Sequence, residues 1–493
     1  MSRVAIIAVV LFSSCSAFSA DPPNFLLLMG DDHGWDEVGY NGHPHLKTPV
    51  LDEMAASGLR LDRFYAAHPS CSPTRTSFLT GRHPNRVGTY APGWTIRPDE
   101  ITIADILSQA GYYTSHIGKW HLGPVKEGSP TNPGAMGFDE WFSHDNFFEL
   151  DPVMSRNGGA PEMVKGESSE ILIAETIDFI GRARKGGKPF GAVVWFGSPH
   201  EPYSGLEQDL TLYDDLPEEY EEIEVKLTSN ETGEQVSRPL RAVLRERYAE
   251  ITAMDRSIGM LREFLEKEGL KENTLIFYCG DNGVPPSGVA AMSLRGQKAT
   301  MYEGGIRVPG VIEWPARIPK PMTSSVNAVT SDLLPTVCDL VGQPFPNRPL
   351  DGMSLVPLID GKVKLRENPI YFWAYDIGSL RKRKPEPMFA SDELIGTTPL
   401  VKKLKGKYIR SFENYVQPEI SENDYTGARA VVDNQYKLVV GEAGEEEKSL
   451  FDLRSDPGET TNLIDEKPEV AEALGKELRY WQESVMRSVS GEE

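Results

Sequence analysis

Three short apolar runs constrain the fold of this chain more than any other feature. They lie at 24–29, 191–196 and 274–279, and none shows the alternation of a half-buried strand. Continuous apolar runs of this length are typical of parallel strands that are covered on both faces. Amphipathic helical patterns lie between them, at 48–57, 101–110 and 245–268. The alternation predicts an α/β fold with a large mixed, mostly parallel sheet sandwiched by helices.

A second, smaller unit is predicted from the change of pattern after residue 365. Its strand-like and helical segments are separated by a long polar stretch at 375–428. These segments lie at 370–373, 436–440, 450–453 and 469–488. We therefore expect a main domain at 21–365 and a smaller C-terminal α+β domain at 366–493.

The first twenty residues have the composition of a secretory signal peptide. Arg3 is followed by an apolar run at 4–12 and then by small residues up to Ala20. This run is shorter than a comfortable bilayer span, and no other segment approaches spanning length. We expect a signal peptide at 1–20 and a secreted or periplasmic mature protein without a transmembrane segment. A lipid anchor at Cys15 is the alternative.

Charge and cysteine content limit the class of partner and the crosslinks. The formal net charge is −22, which is unsuited to the phosphate backbone of a nucleic acid. An anionic substrate would need a local basic pocket instead. Beyond the predicted signal peptide, the cysteines are Cys71, Cys279 and Cys338. We expect the last two to be small buried residues, and a disulfide between them is the alternative.

Polar residues follow the three predicted strands. Asp31 and Asp32 follow the first strand, His200 follows the second, and Asp281 and Asn282 follow the third. Ligands bind at the carboxyl ends of strands in open α/β sheets, so these side chains are expected to converge. The carboxylate and amide oxygens favour a hard cation, Ca²⁺ or Mg²⁺, over zinc. The alternative is that each residue only caps its own loop.

Two further segments carry basic residues suited to an anion. Lys119 and His121 are two positions apart, and an extended backbone would place both on one face. Together they can donate charge-assisted hydrogen bonds, although a solvent-facing edge strand would explain the same pattern. Lys298 lies in a glycine-rich loop from which it could reach an anion. This loop lacks the spacing of a P-loop, and no dinucleotide-binding motif is present.

The segment Cys71-Ser72-Pro73-Thr74-Arg75 carries the most specific chemistry. Pro73 suits the first turn of a helix, which places Cys71 at the helix N-terminus. The amide groups and the dipole there stabilise negative charge, so we expect a lowered thiol pKa and a nucleophilic residue. Arg75 lies about one turn further on and can reach the same site.

These motifs together resemble those of the type I, formylglycine-dependent sulfatases of the alkaline-phosphatase-like superfamily. The resemblance covers nearly all of the chain beyond the predicted signal peptide, and it rests most firmly on the Cys71 segment and on the segment 118–123. The C-terminal segment 456–463 also resembles a family signature. The resemblance implies that Cys71 is oxidised to formylglycine by a formylglycine-generating enzyme, and that the protein is a sulfuric ester hydrolase.

The resemblance also implies a role for each site residue. The implied Ca²⁺ ligands are Asp31, Asp32, Asp281, Asn282 and the modified Cys71. Arg75 and Lys119 are similar to residues that stabilise the hydrated aldehyde, and His121 is similar to the base that deprotonates it. His200 and Lys298 resemble groups that bind sulfate and protonate the leaving alcohol. Ser143 resembles a further contact to the sulfate.

Two other functions share this scaffold. A phosphonate or phosphate monoester hydrolase can carry the same cysteine motif, although we see no clearly placed ligands for a second metal. A catalytically silent carbohydrate-binding protein would lack some of the motif residues, all of which are present here. The expected substrate is an aryl sulfate or a sulfated carbohydrate. We expect its identity to be set by the loops at 203–239 and 375–428.

Overall fold

The helices of the protein alternate with its strands over most of the chain. The computed structural model describes residues 22–229, 234–399, 409–417, 419–444 and 447–492; the predicted signal peptide and Cys15 lie outside them. The helices are α1 (Pro49–Ser57), α2 (Cys71–Thr80), α3 (Ile103–Gln109), α4 (Ser168–Lys185), α5 (Glu207–Leu210), α6 (Leu240–Lys267), α7 (Glu303–Ile306), α8 (Leu333–Val341), α9 (Val356–Ile359), α10 (Ile377–Lys382) and α11 (Pro468–Ser490).

The strands form one large sheet and several small ones. They are β1 (Asn24–Gly30), β2 (Leu59–Leu61), β3 (Phe64–Tyr65), β4 (Tyr113–Lys119), β5 (Glu140–His144), β6 (Val153–Arg156), β7 (Glu162–Met163), β8 (Phe190–Trp195), β9 (Glu224–Thr228), β10 (Gln235–Pro239), β11 (Thr274–Gly280), β12 (Arg307–Val308), β13 (Gly310–Glu313), β14 (Met322–Ser324), β15 (Ala328–Val329), β16 (Ile370–Trp373), β17 (Glu386–Pro387), β18 (Tyr415–Val416), β19 (Arg429–Val432), β20 (Tyr436–Val440) and β21 (Lys448–Asp452).

The large sheet has ten strands in the order β14-β2-β13-β11-β1-β8-β4-β5-β6-β7. Its five central strands, from β11 to β5, are all parallel, whereas antiparallel strands lie towards both ends. The three strands predicted from apolar runs are β1, β8 and β11, and they are direct neighbours. The predicted mixed, mostly parallel sheet is therefore confirmed.

Alternate residues of β1 pack into different cores, which explains its unbroken apolar sequence. Phe25, Leu27 and Met29 face a core that includes residues of α2, α3 and α8. Leu26 and Leu28 face a second core that includes residues of α1, α4 and α6. Helices thus cover both faces of the sheet, so every position of the strand after Asn24 is buried.

The C-terminal segments form a separate antiparallel sheet. Its order is β16-β19-β20-β21. Residues of α11 share a hydrophobic core with one face of this sheet, and residues at 301–306, including those of α7, share a core with the other face. The sheet therefore lies against a loop of the main α/β unit, the same loop that carries Lys298.

The structure corrects one expectation from the sequence and decides between the alternatives for two others. Helix α6 begins at Leu240 rather than near 245, because its buried face already includes Val243 and Leu244. Strand β4 lies between β8 and β5, so the alternative of a solvent-facing edge strand is wrong. Cys279 and Cys338 are free and buried, as expected.

In the part of the chain described here, every helix is too short or too polar to span a bilayer.

Candidate active site

The polar residues that follow β1 and β11 meet at one edge of the large sheet. These strands pair in parallel along their whole length, so Asp31 and Asp281 both follow the last paired residues. The backbone N–H of Asp32 donates a hydrogen bond of 2.8 Å to Asp281 Oδ1, across 249 positions of the chain. Asn282 Nδ2 donates to Asp32 Oδ1 at 2.9 Å. The predicted convergence of these four residues is therefore present.

Two of the buried carboxylates pair with cations from β4 and α2. Lys119 Nζ lies 2.6 Å from Asp31 Oδ2. Arg75 Nη2 lies 2.7 Å from Asp281 Oδ2 and 3.3 Å from Asp31 Oδ1. The Arg75 guanidinium also lies over the ring of Trp195, 5.0 Å from its centroid. With all four charged side chains at 0% exposure, water does not screen these charges.

The third carboxylate, that of Asp32, lies beside Lys298 and His200. Lys298 Nζ is 2.5 Å from Asp32 Oδ1 and 2.7 Å from Asp32 Oδ2. Burial opposes the ammonium charge, but the Asp32 carboxylate outweighs it and raises the pKa of Lys298. His200 Nδ1 contacts the carbonyl oxygen of Glu201, which can only accept a hydrogen bond. His200 Nε2 therefore faces Lys298 Nζ at 3.5 Å as the unprotonated nitrogen. The ring of Phe147 stacks on the imidazole at 4.5 Å.

Cys71 is the first residue of α2 and lies within this charged cluster. Its Sγ is 3.8 Å from Asp32 Oδ1, and the residue is 1% exposed. Burial raises the pKa of the thiol to about 12, although the charges of Lys119 and Lys298 oppose the shift. The expected lowering of this pKa by the helix N-terminus is therefore wrong. Burial beside carboxylates outweighs the helix effect, which sequence reasoning considered alone.

Lys119 and His121 reach the site in different ways. Lys119 is the last residue of β4, whereas His121 lies beyond the strand with a φ of 57°. The two residues are thus not on one extended face, as the sequence suggested. Both ring nitrogens of His121 are buried, and in the described residues they have no hydrogen-bond partner. Burial and then the charge of Lys119 lower the pKa of His121 well below its ordinary value, so the imidazole is neutral.

Ser143 does not join the other predicted residues. Its Oγ lies 2.7 Å from His116 Nδ1 and 3.2 Å from the His116 carbonyl oxygen. In the parallel register Ser143 pairs with Gly118, so its side chain points to the face opposite Lys119. The expected contact to sulfate is therefore not supported. His33 Nδ1 lies 2.5 Å from the hydroxyl of Tyr278, and His33 Nε2 lies 2.6 Å from the carbonyl oxygen of Glu37.

A buried arginine that sequence reasoning missed supports two loops of the site. Arg247, in α6, donates to the carbonyl oxygens of Asp32 and Pro199, each at 2.6 Å. Both carboxylate oxygens of Glu37 accept from the same guanidinium at 2.6 Å. These bonds hold Asp32 at a φ of 61°, which is uncommon for a residue other than glycine. An arginine on the apolar face of the predicted helix was the available signal.

The oxygen atoms at the edge of the sheet fit a hard divalent cation. The ligand atoms of Asp31, Asp32, Cys71 and His200 all lie within 4.8 Å of one another. Asn282 Oδ1 is buried and, within the described ranges, accepts no hydrogen bond. Asp281 is not part of that group of four, since its oxygens face the Asp32 N–H and Arg75. Burial and the Asp31 carboxylate raise the pKa of Asp281 to about 7, which a nearby cation would reverse.

Comparison with known proteins finds related sequences over most of the chain. A family model described as Sulfatase matches residues 23–343. The chain is 31% identical over 497 residues to arylsulfatase A of Bos taurus, covering 92% of this chain and 86% of that protein. It is 30% identical over 407 residues to N-acetylgalactosamine-6-sulfatase of Canis lupus familiaris, covering 73% of this chain and 70% of that protein.

Solved structures share the fold. The crystal structure of Ps i-CgsB superposes with a TM-score of 0.73 at 22% identity, covering 94% of this chain and 93% of that one. A second structure, of BT4656 in complex with its substrate D-glucosamine-2-N,6-O-disulfate, gives a TM-score of 0.70 at 20% identity. It covers 94% of this chain and 98% of the other. At these identities the match supports the architecture alone.

Proposed function

The chain belongs to the sulfatase family and is a sulfuric ester hydrolase, and we propose that it removes sulfate from sulfated carbohydrates with a nucleophile derived from Cys71. One observation supports the assignment of the nucleophile to Cys71. Cys71 Sγ lies at the buried centre of the charged cluster, 3.8 Å from Asp32 Oδ1, which itself contacts Lys298. A sulfate bound here would meet cationic side chains from α2, β4 and the Lys298 loop.

Formylglycine at position 71 is part of the proposal. Oxidation of the cysteine supplies a hydrated aldehyde that can attack sulfur. Every residue of α2, from Cys71 to Thr80, is buried. A formylglycine-generating enzyme would therefore reach this segment only before the chain folds. The raised pKa of the thiol also supports the proposal, because a protonated sulfur is a poor nucleophile.

A bound Ca²⁺ is the second part, with Mg²⁺ as the less favoured ion. Asp31, Asp32, Asn282 and residue 71 would hold it, together with Asp281 after a change in its contacts. The ion would supply positive charge against the sulfate oxygens. The oxygen-only set from these loops is the donor chemistry that Ca²⁺ prefers.

The cationic side chains of the protein have distinct positions for the reaction. Lys119 and Arg75 lie on the Asp31 side of the cluster. Their positive charges would stabilise the negative charge of the nucleophile and of the sulfate there. Neutral His121 lies nearby, and neither of its ring nitrogens has a hydrogen-bond partner in the part of the chain that the structure describes. A neutral, buried imidazole with a free lone pair can accept a proton, so we assign it the role of general base.

Lys298 and His200 are assigned to the leaving group. They lie together on the Asp32 side of the cluster, and their side chains, 20% and 14% exposed, are the members of the cluster nearest to solvent. Burial lowers the pKa of His200 to about 4, so Lys298 is the charged donor of the pair. A sugar alkoxide is a poor leaving group, and protonation by such a donor would speed its departure.

The remaining features of the protein are proposed on coarser grounds. The relatives named above include an N-acetylgalactosamine-6-sulfatase and a protein bound to a glucosamine disulfate. We therefore favour a sulfated carbohydrate over a simple aryl sulfate as the natural substrate. We also propose export through the signal peptide at 1–20, a catalytic domain at 21–365 and a C-terminal domain at 366–493.

The proposal is tested with protein produced together with a formylglycine-generating enzyme. Turnover of 4-nitrophenyl sulfate, of 4-nitrophenyl phosphate and of sulfated saccharides would be measured on the same sample. We expect sulfate release from both kinds of sulfate ester and far slower release of phosphate. Faster hydrolysis of the phosphate ester would replace the proposal by that of a phosphate monoester hydrolase. Saccharide binding without turnover would indicate a binding protein.

A further inference from the structure

Two C-terminal segments, 394–398 and 410–413, lie side by side next to His121, and we call them the wall of the site. The N–H of Gly396 donates to the carbonyl oxygen of Arg410 at 2.9 Å, and the N–H of Phe412 donates to that of Leu394 at 3.0 Å. The two segments thus pair in antiparallel fashion. The ring of Phe412 lies 6.4 Å from the ring of His121. This wall belongs to the polar stretch that the sequence associated with substrate choice.

The wall is fixed to the active site at both of its strands. Asp145 Oδ2 accepts hydrogen bonds from the N–H groups of Thr397 and Thr398, and the Asp145 carbonyl oxygen accepts from His121. On the other strand, the N–H of Glu413 donates to Gly93 at 3.2 Å. The wall is therefore held in a defined position relative to the base.

Gly93 connects this wall to the nucleophile segment. Its N–H donates to Ser72 Oγ at 3.0 Å, and that hydroxyl donates to the carbonyl oxygen of His121 at 2.7 Å. A Cβ at Gly93 would lie only 2.2 Å from Arg410 Nη2. The guanidinium of Arg410 therefore lies directly against Gly93, which the Ser72 hydroxyl connects to the nucleophile segment and to His121.

Arg410 has donors to spare. Its Nη2 donates to the carbonyl oxygen of Pro92 at 2.9 Å, whereas no carboxylate in the described part of the chain forms an ion pair with it. The sequence contains no acidic residue between Glu393 and Glu413. The side chain is partly exposed. A guanidinium carries five N–H donors, and among the described residues only the bond to Pro92 uses one of them.

We propose that Arg410 binds a second anionic group of the substrate, a carboxylate or a further sulfate carried by the sugar near the scissile sulfate ester. This rests on the proposed function and narrows it to polyanionic carbohydrates. A planar guanidinium matches both oxyanions through paired hydrogen bonds. In a chain with a net charge of −22, a cation beside the site that has no carboxylate partner within the described ranges selects for such a group. The neighbouring Lys402, Lys403, Lys405 and Lys407 lie outside the described residues and are not part of the proposed subsite.

The test measures how sulfated saccharides inhibit the hydrolysis of 4-nitrophenyl sulfate. They are used in pairs that differ only by a second anionic group. One arm compares monosulfated with disulfated glucosamines, and the other compares a monosulfated disaccharide with its uronic-acid-containing counterpart. In at least one arm, we expect the doubly charged member to bind the wild type about tenfold more tightly. Arg410→Gln should abolish that preference, and Arg410→Lys should retain part of it.

Arg184→Gln is the matched control. Arg184 lies in the last turn of α4, which leads into the start of β8 and thus lies at the opposite edge of the sheet, and it pairs with Glu268, so this variant should keep the preference. No preference in the wild type in either arm, or an unchanged preference in Arg410→Gln, would overturn the inference. An equal loss on every ligand, including 4-nitrophenyl sulfate, would mean that Arg410 only supports the fold. Absence of aryl sulfate turnover in the modified wild type would instead contradict the proposed function itself.

Discussion

Lys437 Nζ lies 2.9 Å from Glu459 Oε1, and both side chains are fully buried. The same ammonium lies 3.0 Å from Glu303 Oε1, so one cation stands between two carboxylates. Lys437 belongs to β20 of the C-terminal sheet, whereas Glu303 begins α7, just after the Lys298 loop. The Glu303 N–H also donates to Glu459 Oε2 at 2.6 Å. This triad thus fixes the C-terminal sheet to the loop that carries Lys298.

Removal of the central cation should destabilise the protein strongly. In Lys437→Met, the two buried carboxylates would face each other without the ammonium between them, and Glu303 would keep only the more distant Arg307, at 3.6 Å. Breaking a buried pair in this way costs about 3–5 kcal/mol. Urea unfolding should show a loss of this size in the free energy of unfolding. Lys476→Met removes an exposed pair with Glu472 and is the control; a similar loss in both variants would contradict the role of the triad.

Glu459 should make stability depend on pH. Burial raises its pKa from the ordinary value of 4.5 to about 7, although Lys437 opposes this shift. The folded protein therefore binds a proton that the unfolded chain releases, and stability falls as the pH rises from about 4.5 to 7. In Glu459→Gln the free energy of unfolding should fall less over this window. Equal slopes in the variant and the wild type would show that Glu459 does not titrate there.

Modification of Cys71 should require an unfolded chain. Because α2 is buried throughout, folded thiol protein incubated with the formylglycine-generating enzyme should keep its sulfur. Mass spectrometry of the Cys71 peptide should then show the aldehyde only when the enzyme acts before folding. A denatured sample of the same protein is the positive control. Efficient conversion of the native protein would refute the expectation.

Removal of the proposed Ca²⁺ should lower both activity and melting temperature. A ligand that binds only the folded state stabilises it by about 2.7 kcal/mol at a concentration of 100 Kd. Chelation should reverse this gain, and added Ca²⁺ should restore it. Asn282→Ala removes an oxygen that accepts no hydrogen bond in the described residues, so its melting temperature should respond less to Ca²⁺. A wild type that keeps full turnover after chelation would exclude the metal site.

The leaving-group role of Lys298 and His200 should depend on the substrate. An aryl oxide leaves without a proton, whereas a sugar alkoxide does not. Lys298→Ala and His200→Ala should therefore reduce kcat/KM for sulfated sugars at least about tenfold more than for 4-nitrophenyl sulfate. The ratio of the two activities within one preparation corrects for the amount of folded enzyme. Equal losses on both substrates would limit these residues to binding sulfate.

The sequence alone determined the fold class and which loops bring their polar residues together. The apolar runs of β1, β8 and β11 are local features of the sequence. A parallel strand that is buried on both faces has an unbroken apolar run, so these strands could be predicted without knowledge of the fold. The polar residues after those strands could be expected to converge, because parallel strands end at one edge. The Cys71 segment likewise carried the resemblance to the sulfatases within five residues.

Only the tertiary structure decided the environment of each group. The turn after β4 separated Lys119 from His121, and the strand register directed Ser143 towards His116. The pKa of Cys71 rises because burial and nearby carboxylates outweigh the helix terminus. Arg410 became significant through its contact with Pro92, and Lys437 through its contact with Glu303, each more than a hundred positions away in the chain. Desolvation and long-range charge depend on which segments pack together, and no local pattern in the sequence contains that information.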